Sequence, residues 1–190
     1  MMRKFTYIIL AFLFFVLIPA PSSAQKWSME LNALSLADFG TISPEIGVAV
    51  SAHFSLHVGG KLNFWTFYNK DKSLRIQDQH KIGYFGFRYW PWYVYSGWWI
   101  STKLEYLDYM QTGVWRPAVE KGRGVGVGFG FGYTQFLSEH FNIDFGIGGI
   151  GGYLFEYSLN NSQNYDAIRK EGPRPFIYPD TILVGIMYVF

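Results

Sequence analysis

The chain is 190 residues long, with 21% aromatic residues, 16% charged residues and no cysteine. The missing cysteine excludes disulfides, thiolate metal sites and a lipid-bearing cysteine. A formal charge of +2 at pH 7 gives no broad electrostatic claim on nucleic acid.

The chain opens with the basic segment Met1-Met2-Arg3-Lys4 and an apolar run from Phe5 to Ile18. Pro19 and Pro21 break the run, and Ser22-Ser23-Ala24 offers small residues where a signal peptidase reads. The expectation is a secretory signal over 1–24, cut before Gln25; a retained anchor is the rival reading. Losing Arg3 and Lys4 leaves 14 basic against 14 acidic residues. Past this segment no apolar stretch approaches the ~20 residues of a spanning helix. A membrane barrel reconciles that with the aromatic content, because only every second residue meets lipid. One domain is expected over 25–190.

Eight alternating segments follow, roughly 27–36, 45–54, 55–67, 81–90, 98–109, 124–135, 141–154 and 180–190. Each is near the ~9–11 residues a tilted strand needs to cross a bilayer. In the sixth, Val125, Val127, Phe129, Phe131 and Tyr133 form one face and Gly124, Gly126, Gly128, Gly130 and Gly132 the other. No helix carries a glycine at every second position. A bare inner face would leave a void in a sandwich, whereas in a narrow barrel it admits large side chains from opposite strands. The eighth segment sets Ile182, Val184, Ile186, Tyr188 and Phe190 on one apolar face. A terminal strand closed by phenylalanine looks like a barrel-assembly signal, carried by Tyr188 and Phe190.

The links His53–Ser55, Pro91–Gly97 and Phe136–His140 are short or compact, while Tyr68–His80, Met110–Arg123 and Phe155–Pro179 are longer and more polar. Short periplasmic turns alternating with longer outer loops are the barrel pattern, and both termini then lie in the periplasm. Only Ala37–Pro44 is short for its side. Aromatic residues gather between Tyr89 and Trp99 at one rim, and at Trp65, Phe67, Tyr109, Trp115, Tyr153 and Tyr178 near the other. Two such belts suit the two headgroup regions.

The strand phases point Glu30, Glu45, Lys61, Arg88, Lys103, Glu105 and Asp144 inward, with Asn32, Asn63, Tyr84 and His57 among them. Buried charges are costly unless paired, and both signs are present, so an interior ion-pair network that plugs the barrel is expected. Eight strands leave an interior only just wide enough for side chains, which argues against a pore. His53-Phe54-Ser55 has the spacing of outer-membrane lipid A deacylases, where a base activates a serine. It falls at a periplasmic turn, though, and lipid A sits in the outer leaflet. Gly146-Ile147-Gly148-Gly149-Ile150-Gly151 matches a dinucleotide fingerprint but lies inside a strand with no following helix. His53, His57, His80 and His140 are scattered, with no metal-ligand spacing.

From Phe85 onward the chain resembles a family of small Bacteroidota barrels known as domain of unknown function 3575. The resemblance rests on Phe87-Arg88-Tyr89-Trp90, Gly97-Trp98-Trp99 and Gly128-Phe129-Gly130-Phe131-Gly132-Tyr133. It continues through Leu137-Ser138-Glu139-His140-Phe141-Asn142-Ile143-Asp144 and Gly146-Ile147-Gly148 to Tyr157, about half of the chain. It implies an outer-membrane barrel in an envelope that often displays surface lipoproteins or fimbriae, and it brings no catalytic residues.

The expected fold is an all-β, eight-stranded antiparallel transmembrane β-barrel with periplasmic termini and a plugged interior. The expected function is non-enzymatic: a structural or partner-binding role at the cell surface, without cofactor or metal. The partners expected are outer-membrane lipid, the barrel-assembly machinery, periplasmic chaperones and a surface lipoprotein, fimbrial or other envelope protein. A lipid-modifying enzyme of the lipid A deacylase kind and a narrow channel are the alternatives. The first should group Ser, His and acid near the outer rim; the second should show an inner face of one charge sign.

Overall fold

The computed structural model describes residues 26–38, 40–68, 75–112, 118–161, 168–169 and 172–190. The expected signal over 1–24, Gln25 and Trp115 lie outside them. The strands are β1 (Trp27–Asn32), β2 (Pro44–Ala49), β3 (Phe54–Asn63), β4 (Thr66–Tyr68), β5 (Arg75–Tyr89), β6 (Gly97–Thr112), β7 (Ala118–Phe136), β8 (Phe141–Asn161), β9 (Ile168–Arg169) and β10 (Arg174–Val189). Among the described residues the only helical element is a 3-10 turn, Leu34–Ala37. Eight strands pair antiparallel in one sheet, β1-β2-β3-β5-β6-β7-β8-β10, and β10 returns to β1, so the sheet closes in a ring. The short β4 continues β3 along β5, and β9 pairs the end of β8.

The strands on one side are longer than their alternation suggests. β7 starts at Ala118 rather than near 124, and β8 runs to Asn161 rather than 154. Most of the expected links Tyr68–His80, Met110–Arg123 and Phe155–Pro179 is therefore strand. Where both faces of a strand are polar the period-two signal vanishes, yet backbone pairing continues. The opposite side is shorter: β1 ends at Asn32 instead of 36, and β3 at Asn63 instead of 67. The inward asparagines cause both stops. Asn32 Oδ1 accepts from the backbone N–H of Leu34 (3.1 Å) and Val184 (3.2 Å), and Asn63 Oδ1 accepts from Trp65 N–H (2.9 Å). An amide that bonds the backbone two residues on turns the chain out of the ladder.

The glycine face of β7 points inward as its pattern requires, but its space is filled by the two neighbouring strands rather than by opposite ones. From β6, Trp99 lies over Gly130 and Gly132, Lys103 over Gly128 and Tyr109 over Gly122; from β8, Ile150 and Leu154 lie over Gly126 and Gly124. Trp90, Tyr95, Trp99, Leu183, Met187 and Val189 form a buried apolar plug beside the β5–β6 turn. Trp90 packs on Tyr95 and Trp99 at ring separations of 5.9 and 6.4 Å. The first and last described residues meet at this rim, where Lys26 N–H donates to Phe190 O and Phe190 N–H to Trp27 O.

The outward surface is apolar over a sharply bounded zone. Phe85, Phe87, Trp98, Ile100, Leu104, Tyr106, Val125, Val127, Phe129, Phe131, Phe145 and Ile147 are all exposed. Above them Lys81, Asp108, Arg123 and Glu156 stand in register on β5 to β8, an outward row of alternating sign. From Arg123 down to Tyr133 the zone follows about 33 Å of β7 at ~3.3 Å per residue. The aromatic residues of the other rim are divided: Trp65 and Tyr153 face outward, but Tyr109 and Tyr178 line an interior cavity instead of a belt.

Candidate functional site

The interior holds two polar clusters stacked above the aromatic plug. The lower one centres on Arg88 of β5, whose side chain reaches across the interior to β1, β2 and β8. Its Nη1 donates to Glu30 Oε2 (3.2 Å) and Asp144 Oδ2 (2.7 Å), and its Nη2 to Glu45 Oε1 (2.6 Å). The guanidinium also lies over the Trp99 ring, 4.5 Å from its centroid. One planar cation thus ties three carboxylates from three strands, a task a lysine's point charge performs poorly. Further donors complete the shell: Trp99 Nε1 (2.7 Å) and Thr134 Oγ1 (2.9 Å) donate to Asp144 Oδ1, and Tyr84 OH (2.8 Å) donates to Glu45 Oε2. Glu30 Oε1 is buried without a hydrogen-bond partner among the described residues.

A second arm runs from Glu45. His57 Nδ1 is 2.8 Å from Glu45 Oε1, His57 Nε2 is 2.7 Å from Ser55 Oγ, and Trp90 Nε1 donates to that same Oγ at 2.8 Å. An ionised Glu45 can only accept, so a neutral His57 carries its hydrogen on Nδ1 and leaves Nε2 to accept from the Ser55 hydroxyl. Ser55, His57 and Glu45 are therefore ordered as in a nucleophilic triad. His53, whose spacing to Ser55 the sequence raised and its turn position argued against, has its Nδ1 3.1 Å from the carbonyl of Trp90. The inward alternation of β3 held the clue, since Ser55 and His57 share a face and His53 precedes the strand.

The upper cluster depends on a bulge. The register of β10 against β8 shifts between Pro179 and Thr181, and the Asp180 side chain is buried there. Lys61 Nζ meets Asp180 Oδ1 at 2.7 Å, and Lys103 Nζ meets Oδ2 at 2.6 Å while also pairing with Glu105. Asp180 was absent from the inward residues read from the sequence, because strict alternation cannot anticipate a bulge. Glu30, Lys61, Arg88, Lys103, Glu105 and Asp144 thus fall into two groups, with Lys61, Lys103 and Glu105 above and the other three below.

Between the clusters lies a cavity of about 60 Å³ bordered by His57, Tyr84, Arg88 and Lys103. Above the upper cluster the ring opens into a vestibule of about 790 Å³ bordered by Asp38, Asp78, His80, Tyr109, Glu120 and Tyr178. Burial and the nearby Asp78 charge raise the Asp38 carboxyl above its ordinary value. No group of three or more His, Cys, Asp or Glu side chains among the described residues is placed to hold a metal ion. At the other rim Tyr188 stacks on His140 (5.5 Å) and meets Phe141 and Phe190 edge-on at 5.0 and 4.9 Å.

No curated protein and no solved structure matches the chain. A family model described as "Protein of unknown function (DUF3575)" matches residues 8–190, and so reaches through the amino-terminal half as well as the part from Phe85 onward. The chain belongs to that family.

Proposed function

We propose that the mature chain is an outer-membrane β-barrel, sealed across its interior, with a structural or partner-binding role at the cell surface. The observation that carries this reading is the outward apolar zone, which at the ~40° strand tilt of membrane barrels would stand about 25 Å tall. The Lys81–Asp108–Arg123–Glu156 row bounds it above and the Trp98, Tyr133, Phe141 and Tyr188 rings below. On this reading the short turns and both termini lie in the periplasm, and the tall edge of β5 to β8 projects outward to meet an envelope protein. Two layers of paired charge and an aromatic plug support a sealed interior. Fractionation tests the placement: the protein should sediment with the outer membrane, start at Gln25, and shift on SDS gels only after heating. Recovery from the soluble periplasm with helical circular dichroism overturns it. Removing Tyr188 and Phe190 should lower outer-membrane levels, while normal levels would place the assembly signal elsewhere. The partner-binding role predicts an envelope protein that cross-links to the wild type and is lost when 113–117 and 162–167 are replaced by Gly-Ser.

A hydrolase is the second reading, favoured by the Ser55–His57–Glu45 geometry. Three facts weigh against it. Ser55 is fully buried, its oxygen is occupied by Trp90, and Glu45 is shared with Arg88. The triad also faces the interior, away from any lipid acyl chain. A fluorophosphonate probe should leave Ser55 unlabelled; labelling that disappears in Ser55→Ala would restore the enzyme reading.

A further inference from the structure

The charged row on the outer surface has an unbalanced edge. Arg123 is held by Asp108 (3.4 Å) and Glu156 (3.2 Å). Lys81, in register with Asp108, and Lys121, one outward position above Arg123, are exposed and take part in no ion pair among the described residues. Both lysines border an opening of about 720 Å³ that is lined by outward Asp108, Arg123 and Glu156 and also by the inward His80 and Tyr109. Two strand spacings and two residues of rise put their Cα atoms about 12 Å apart, a gap that one phosphate between two extended lysines can bridge. Asp108, which lies between them, is already engaged by Arg123.

Directly beneath Lys81 the wall is bare. Gly60 of β3 and Gly83 of β5 stand opposite each other on the outward face. A Cβ added to Gly83 would meet nothing within 4 Å, and one added to Gly60 would meet only backbone. Exposed Leu62, Val58, Phe85 and Tyr106 frame this depression. The result is an apolar trough running down from Lys81.

We propose that this face holds a phosphorylated lipid of the outer leaflet, with its phosphate between Lys81 and Lys121 and an acyl chain along the Gly60–Gly83 trough. The inference rests on the transmembrane reading and narrows it to one ligand class at one place on the circumference. The anionic head answers the unpaired charge, and the chain covers apolar surface that neighbouring side chains leave open. The trough lies beside the low wall of β1 to β3, where it is least screened by the tall strands.

Detergent-extracted wild type is titrated with dioleoyl phosphatidic acid or dioleoylglycerol, and retained lipid is counted by native mass spectrometry. Phosphatidic acid should be retained at least fivefold better. Replacing one lysine, Lys81→Gln or Lys121→Gln, should cost roughly fivefold in phosphatidic acid retention, and the double variant more, with dioleoylglycerol unchanged. Gly83→Leu should lower retention of both lipids, whereas Lys26→Gln at the opposite rim should change neither. Heat-shifted mobility on gels confirms that each variant is folded. Equal retention of the two lipids by the wild type, or indifference of phosphatidic acid to the double lysine variant, overturns the lipid site while leaving the barrel reading intact. A wild type found outside the membrane fraction overturns both.

Discussion

The two halves of the interior solve the same problem differently. Near the turn rim, Arg88 and its three carboxylates are walled in by Trp90, Trp99 and Tyr84, and nearly every polar atom has a fixed partner. In the opposite half, Lys61, Lys103, Glu105 and Asp180 pair just as closely, but the open vestibule begins directly above them. The strength of a charge pair depends on what surrounds it, so similar distances should yield different energies. A desolvated pair broken by removing one partner leaves an uncompensated buried charge, whereas water can take the place of a partner near an opening.

The largest expected effect breaks the dry half. Arg88→Ala strands three carboxylates and should destabilise the protein by ~3–5 kcal/mol in urea unfolding in detergent. Asp180→Asn in the wet half should cost about 1–3 kcal/mol, and added salt should shrink the difference from wild type. Equal losses at the two sites would mean that water penetrates to Arg88, and a planar-bilayer conductance measurement would then test the channel alternative.

Packing sharpens the same contrast. A Cβ at Gly146 would sit 2.7 Å from two atoms of the Trp99 ring, so Gly146→Val should displace that ring at a cost of about 1–3 kcal/mol, with a change in tryptophan fluorescence. Gly83→Val faces open space, suits a strand, and should stay within about 0.5 kcal/mol of wild type.

A modest effect concerns the β5–β6 turn that closes the dry half. Tyr95 adopts φ 67°, a left-handed conformation uncommon outside glycine and asparagine. Asn142 Nδ2 holds its carbonyl (2.9 Å), while its hydroxyl donates to Lys26 O (3.1 Å). Burial pushes that hydroxyl up to about 12. With the folded value above the unfolded one, its contribution is complete below about pH 10 and fades as pH rises through about 12. Tyr95→Phe should cost about 1 kcal/mol at neutral pH and remove this alkaline loss from fluorescence-monitored unfolding.

How much of this was legible in the sequence follows from the range of each interaction. Period-two alternation is a property of neighbouring residues, so the eight strands, the inward glycines of β7 and the inward position of Arg88, Glu30 and Asp144 could all be read directly. Strand lengths could not, because ladders extend wherever a neighbouring strand continues, whatever the polarity of their faces. Asp180 turned inward through a bulge set by pairing with β8, and Ser55 found His57 rather than His53 once β3 had fixed which side chains share a face. The sequence by itself determined a closed, aromatic-rich β architecture with charges inside, because that requires only a local pattern. Only the tertiary structure decided which charges meet, since partners such as Arg88 and Glu30 lie 58 residues apart and ring closure alone sets their distance.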